Sequence, residues 1–240
     1  MSGIKKLQPM IANAERAPFV WLLVAQLAFI ITSPLIVSSE VGQWVRIIGL
    51  FAILLSGVYA AAVRRGFLII ALFLMLPAIF AWLGPDVFNR VGDEVLRLLS
   101  AAACLIFTCV VIMSALYRQK RVSQETIIGG IDAYLLIGIV FMLLHQATAI
   151  IDPAAYTLHG QPMAEFSSPI DQIKGVSTML YFSFTTLTTL GYGDITPETG
   201  VARLLTSVEA VTGQLYVTIF IARLVSIQVT QGVIEEDLSE

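Results

Sequence analysis

Six stretches of this chain are apolar enough, and nearly long enough, to cross a lipid bilayer. That pattern limits the fold more than any single motif. A spanning helix needs about 20 apolar residues. The runs cover residues 17–37, 44–63, 67–83, 95–117, 131–151 and 202–228. The third is short and holds Pro77, which a helix enclosed by neighbours tolerates. Composition agrees. The 240 residues are 57% hydrophobic and 13% charged, whereas soluble domains carry about 25% charged residues. So few charges cannot cover a water-facing surface, so lipid must cover much of it. The expected class is an all-α membrane protein with six transmembrane helices. The first run is too long for a secretory signal and is read as an uncleaved membrane helix.

A seventh apolar stretch, residues 176–190, lies between the fifth and sixth runs. It is too short to span and too apolar for a surface loop. Such a segment fits a re-entrant helix, which survives at membrane depth only when protein encloses it. Basic residues set the orientation. With the N-terminus inside, the inner segments hold Lys5, Lys6, Arg16, Arg64, Arg65, Arg118, Lys120 and Arg121; the outer ones hold Arg46, Arg90, Arg97, Lys174 and Arg203. That bias places both termini in the cytoplasm of a multi-pass protein of the plasma or inner membrane. The expected layout is a cytoplasmic N-terminus (1–16), a four-helix bundle (17–117), a cytoplasmic linker (118–130) marked by Gly129 and Gly130, a second membrane unit (131–228) and a short tail (229–240).

Some classes are excluded at this point. The net charge is −3 without a basic block, so nucleic acid has no electrostatic footprint. Cys104 and Cys109 are five apart in one apolar run and face different ways on a helix, which disfavours a disulfide or metal site. No metal-ligand cluster or nucleophile–base pair points to an enzyme, and no cofactor is expected beyond bound ions. Internal repeats, the mark of many secondary transporters, are not seen.

The re-entrant stretch reads Tyr181-Phe182-Ser183-Phe184-Thr185-Thr186-Leu187-Thr188-Thr189-Leu190 and ends in Gly191-Tyr192-Gly193-Asp194. A threonine-rich short helix followed by Thr-x-Gly-Tyr-Gly-Asp resembles the potassium channel signature. The resemblance covers residues 124–228. Tyr-Phe-Ser, and Glu-Ala-Val-Thr-Gly-Gln-Leu-Tyr in the last run, are similar to bacterial single-pore members. The first 120 residues match only in helix count. The resemblance implies a pore helix at about 176–188 and a selectivity-filter loop. In that loop the carbonyls of Thr189, Leu190, Gly191 and Tyr192 coordinate K+, and the Thr189 hydroxyl adds the innermost ring. Such filters replace an ion's hydration shell with backbone oxygens from four chains, so a homotetramer is implied. Turning successive carbonyls one way needs alternate residues in the left-handed region, which Gly191 and Gly193 allow. Leu190 and Tyr192 then wedge the filter from behind.

Filter support is expected from Tyr181, Thr185, Thr188, Asp194 and Glu209. Asp194 would bond to Tyr181, where many relatives have tryptophans. Glu209 either braces the pore helix near Thr185, draws cations to the cavity, or stays neutral and hydrogen-bonded. Gly213, 22 residues beyond Gly191, is either a gating hinge or a close packing contact. His145 and Gln146 are expected to bond to a neighbouring helix, and His145 also offers proton sensing. Asp132 and Arg223 either pair across helices or reach the interface separately. Run four carries one basic residue, Arg97, where a voltage sensor needs several gating charges. The expected function is therefore passive K+ transport without strong intrinsic voltage gating. The alternatives are a weakly selective cation channel and, behind it, a secondary cation transporter.

Overall fold

The computed structural model describes residues 18–35, 48–53, 90–119, 121–163 and 169–237. Five helices and three short strands are named here in chain order. They are α1 (Pro18–Leu35), α2 (Arg90–Arg118), α3 (Gln124–Ile151), β1 (Tyr156–Leu158), β2 (Gln161–Pro162), α4 (Pro169–Leu187), β3 (Ile195–Pro197) and α5 (Gly200–Asp237). Among the described residues, three helices are long and apolar enough to cross a membrane: Val91–Arg118, Gln124–Ile151 and Gly200–Thr230. The apolar part of α1, Phe19–Pro34, is shorter. The expected run at 44–63 lies outside the described residues except for the helical turn at 48–53, and the run at 67–83 lies wholly outside them.

Helix α3 is the hub. It packs against α1, α2, α4 and α5, and its buried positions run around the whole helix, from Thr126 to Ala149. Leu136, Ile139 and Met142 of α3 join Leu22 of α1, Leu105 and Ile112 of α2 and Met179 of α4 in one core. Lipid is as apolar as leucine, so burial alone drives little association here. Close packing and hydrogen bonds carry it instead. Small residues on α3 permit the close approach. The Phe184 ring fills the space a side chain at Gly138 would take, and the Phe220 ring does the same at Gly130. The Tyr216 hydroxyl donates to the Gly130 carbonyl at 2.6 Å.

The structure corrects several expected boundaries. Helix α3 begins at Gln124, seven residues before the apolar run. Ser123 caps it, accepting from the Thr126 amide at 3.2 Å while Thr126 Oγ1 accepts from the Ser123 amide. The linker expected at 118–130 therefore shrinks, and Gly129 and Gly130 sit inside the helix. Helix α4 starts at Pro169 rather than near 176, and α5 runs past 228 to Asp237. Apolarity marks the membrane-facing part of a helix, while caps and backbone bonding set its true ends.

The chain is mostly helical but not all-α. The strands form a small antiparallel sheet in the order β2-β1-β3. Thr157 lies opposite Thr196, and Leu158 opposite Ile195. The β1–β2 turn is His159-Gly160, both with positive φ (51° and 77°). Two such residues suit a two-residue hairpin turn. Strands of two and three residues are too short to show an alternating pattern in the sequence.

Candidate functional site

The loop after α4 is built by returning the chain onto the helix end. The Thr189 amide donates to the Thr186 carbonyl at 2.9 Å, and the Gly191 amide to the Thr185 carbonyl at 3.1 Å. Thr185 thus supports the loop through its backbone. Its hydroxyl turns back to the Phe182 carbonyl at 2.9 Å, as that of Thr188 does to Phe184 at 2.7 Å. Positive φ falls at alternate residues: 59° at Thr189, 49° at Gly191 and 78° at Gly193. The glycines were expected there. Thr189 was not, because a β-branched residue rarely adopts positive φ. Backbone in such a rhythm aims successive carbonyls to one side. Residues 188–193 are exposed in the single chain.

Beyond the loop, the chain is held from outside. The His159 amide donates to the Asp194 carbonyl at 2.8 Å, and β3 pairs with β1 directly afterwards. The Tyr181 hydroxyl donates to Asp194 Oδ2 at 2.9 Å. Tyr192 stacks on Tyr181, with ring centroids 6.4 Å apart and planes within 6°. Leu190 and Tyr192, both expected to wedge the loop from behind, are 54% and 69% exposed in the single chain. Tyr181→Phe removes the Asp194 contact but keeps the stacked ring. For a channel, as the sequence resemblance implies, the expected result is several-fold shorter single-channel open bursts at an unchanged reversal potential, checked by single-channel recording.

Behind α4 lies a buried polar cluster. His145 Nε2 is 2.7 Å from Glu209 Oε2, and His145 Nδ1 is 2.6 Å from the Tyr156 hydroxyl. Ser183 Oγ stands 2.5 Å from Glu209 Oε1 and 2.7 Å from the Gly138 carbonyl. His145, Tyr156, Ser183 and Glu209 are fully buried. The partner of Glu209 on α4 is therefore Ser183, not Thr185. Thr185 lies two residues further along α4, and two residues on a helix do not share a face. Ser183 and Tyr156 went unrecognised in the sequence. A serine inside Tyr-Phe-Ser-Phe at membrane depth was the available signal, because a buried polar group needs a partner.

Gly213 lies where α5 meets the end of α4. A side chain there would collide with the Leu187 carbonyl. Helix α5 is unbroken through this point, and the close approach fits the packing alternative for Gly213. Gln214 Nε2 donates to Thr189 Oγ1 at 3.3 Å. Arg223 and Asp132 do not pair. The Arg223 guanidinium lies 4.9 Å from the Tyr117 ring centroid and donates to the Tyr117 carbonyl. That carbonyl belongs to the last turn of α2, where helix carbonyls lack internal partners and carry partial negative charge. Asp132 is fully buried, with no hydrogen-bond partner among the described residues.

Two long membrane-type helices flank a short helix and an exposed glycine loop, the arrangement expected of an ion-channel domain. Comparison with known proteins agrees. Residues 134–229 match a family described as "Ion channel", a span that takes in most of α3, the loop and most of α5. The chain is also similar to Two-pore potassium channel 4 of Arabidopsis thaliana, with 41% identity over 61 residues. That alignment covers 23% of this chain and 22% of the relative, so the chain spans less than a quarter of the relative's length. No solved structure matches.

Proposed function

We propose that this chain is one of four identical subunits of a potassium-selective channel, with both termini cytoplasmic in a plasma or inner membrane. The carrying observation is the alternation of positive φ at Thr189, Gly191 and Gly193, placed at the end of a short buried helix. Four such loops around an axis supply stacked rings of carbonyls from Thr189, Leu190, Gly191 and Tyr192. An ion sheds water there and is rebound by backbone oxygen, and repulsion between neighbouring ions drives exit. The C-terminal end of α4 points its partial negative charge toward the same axis. Four copies also cover the bare backbone of 188–193 and the exposed Leu190.

Helix α2 carries one basic residue between 95 and 117, Arg97, and it bonds to Glu94 at 3.3 Å. This supports weak voltage dependence, since sensors need several gating charges per subunit. The test is planar-bilayer recording of purified protein together with its mass in detergent. A tetramer whose reversal potential follows the K+ gradient in mixed K+ and Na+ supports the reading. A reversal potential between those of the two ions assigns the weakly selective alternative. A monomer without current refutes both.

A further inference from the structure

The cluster behind α4 has four short polar contacts, and each needs one hydrogen. They are Tyr156 to His145, His145 to Glu209, Glu209 to Ser183, and Ser183 to Gly138. Ser183 decides how the hydrogens are placed. Its hydroxyl has one hydrogen and two oxygen neighbours, at 2.5 and 2.7 Å. Both distances are as short as full O–H···O bonds, whereas a shared hydrogen would lengthen them. The second hydrogen must come from a neighbour, and a backbone carbonyl has none. That leaves Glu209.

We propose that Glu209 is held as a neutral carboxylic acid in a one-way hydrogen-bond relay that positions the pore helix. The Tyr156 O–H donates to His145 Nδ1, and His145 Nε2–H donates to Glu209 Oε2. The acid hydrogen on Glu209 Oε1 goes to Ser183, and the Ser183 O–H goes to the Gly138 carbonyl. Every contact then has one hydrogen and no charge is buried. The ion-pair alternative, imidazolium with carboxylate, leaves one Ser183 contact with two lone pairs facing each other. It also places two charges inside the membrane-spanning region, where ionised groups are costly. The ionisable groups facing Glu209 are His145 and Tyr134 from α3 and Tyr156 from β1; α4 presents the Ser183 hydroxyl. The relay joins the outer sheet to the helix that precedes the loop. The same sheet holds the chain that follows the loop, through β3. The loop is therefore gripped at both ends by β1.

Glu209→Gln is the discriminating variant. Glutamine offers a carbonyl to His145 and an N–H to Ser183, the polarity of the neutral acid. In the purified full-length protein, the infrared band of an undissociated carboxylic acid should fall in the Glu209→Gln variant. Subtracting the variant spectrum removes any contribution from Asp132. In bilayers, Glu209→Gln should keep wild-type burst duration. Ser183→Ala and Glu209→Ala should each shorten bursts roughly tenfold, the effect of stranding a buried partner. An unchanged acid band, or Glu209→Gln as damaging as Glu209→Ala, would overturn the proposal. The burst readout rests on the channel reading, but the infrared readout does not. A protein that never conducts refutes the channel while leaving the protonation of Glu209 decided.

Discussion

Gly191→Ala will lower the potassium current of the proposed channel at least roughly tenfold while the protein still purifies in its wild-type oligomeric state. Nothing lies within 4 Å of the position an added Cβ would take, so the loss does not come from a clash. It comes from φ of 49°. A residue with a Cβ resists that region by about 1–2 kcal/mol. In the four-subunit assembly proposed above the penalty is met four times, and about 1.4 kcal/mol already corresponds to tenfold. The backbone relaxes, the Gly191–Thr185 bond loosens and the Gly191 carbonyl leaves its row. Single-channel conductance and reversal potential in mixed K+ and Na+ check this. Wild-type values in the variant would show that the alternation of φ is not what conducts.

Gly213→Ala will damage both stability and selectivity, for a different reason. The obstacle is the carbonyl of Leu187, with the Leu187 carbonyl carbon and Cδ1 both at 3.0 Å from the added Cβ. Main chain cannot swing aside as a side-chain tip can. Forcing an extra carbon into a packed contact costs about 1–3 kcal/mol. Leu187 lies two residues before Thr189, so the displacement passes into the loop. The expected result is a lower melting temperature of the detergent-solubilised protein and, for the potassium channel proposed above, a reversal potential moved away from that of K+. A hinge would behave otherwise, because stiffening it leaves both quantities unchanged and alters only the rate of opening. Melting and reversal potential measured on the same preparation separate the two roles.

The sequence revealed different parts of this structure to different degrees. The apolar runs located α2, α3 and α5, because a membrane-spanning helix needs long uninterrupted apolarity. Gly191-Tyr192-Gly193 located the loop, because glycine at alternate positions has a backbone reason. Helix ends were misjudged wherever polar residues continue the helix, as from Gln124 to Gly130 and in the last turns of α5. The sheet was missed because its strands are too short to carry a pattern. Glu209 stood out as an ionisable residue within an apolar span, but its partners did not. His145 lies 64 positions away and Ser183 26, and no local rule pairs residues at such separations. Thr189 showed the limit of reasoning from residue type, since its conformation is imposed by the bonds around it and not by its own preference.

Thr189 is held at φ of 59°, a posture that costs a β-branched residue about 1–3 kcal/mol and lasts only while its surroundings enforce it. Among the described residues, its hydrogen-bond restraints are the Thr186 carbonyl and the side-chain amide of Gln214 at 3.3 Å. Loss of either restraint would leave that cost unopposed at the Thr189 peptide.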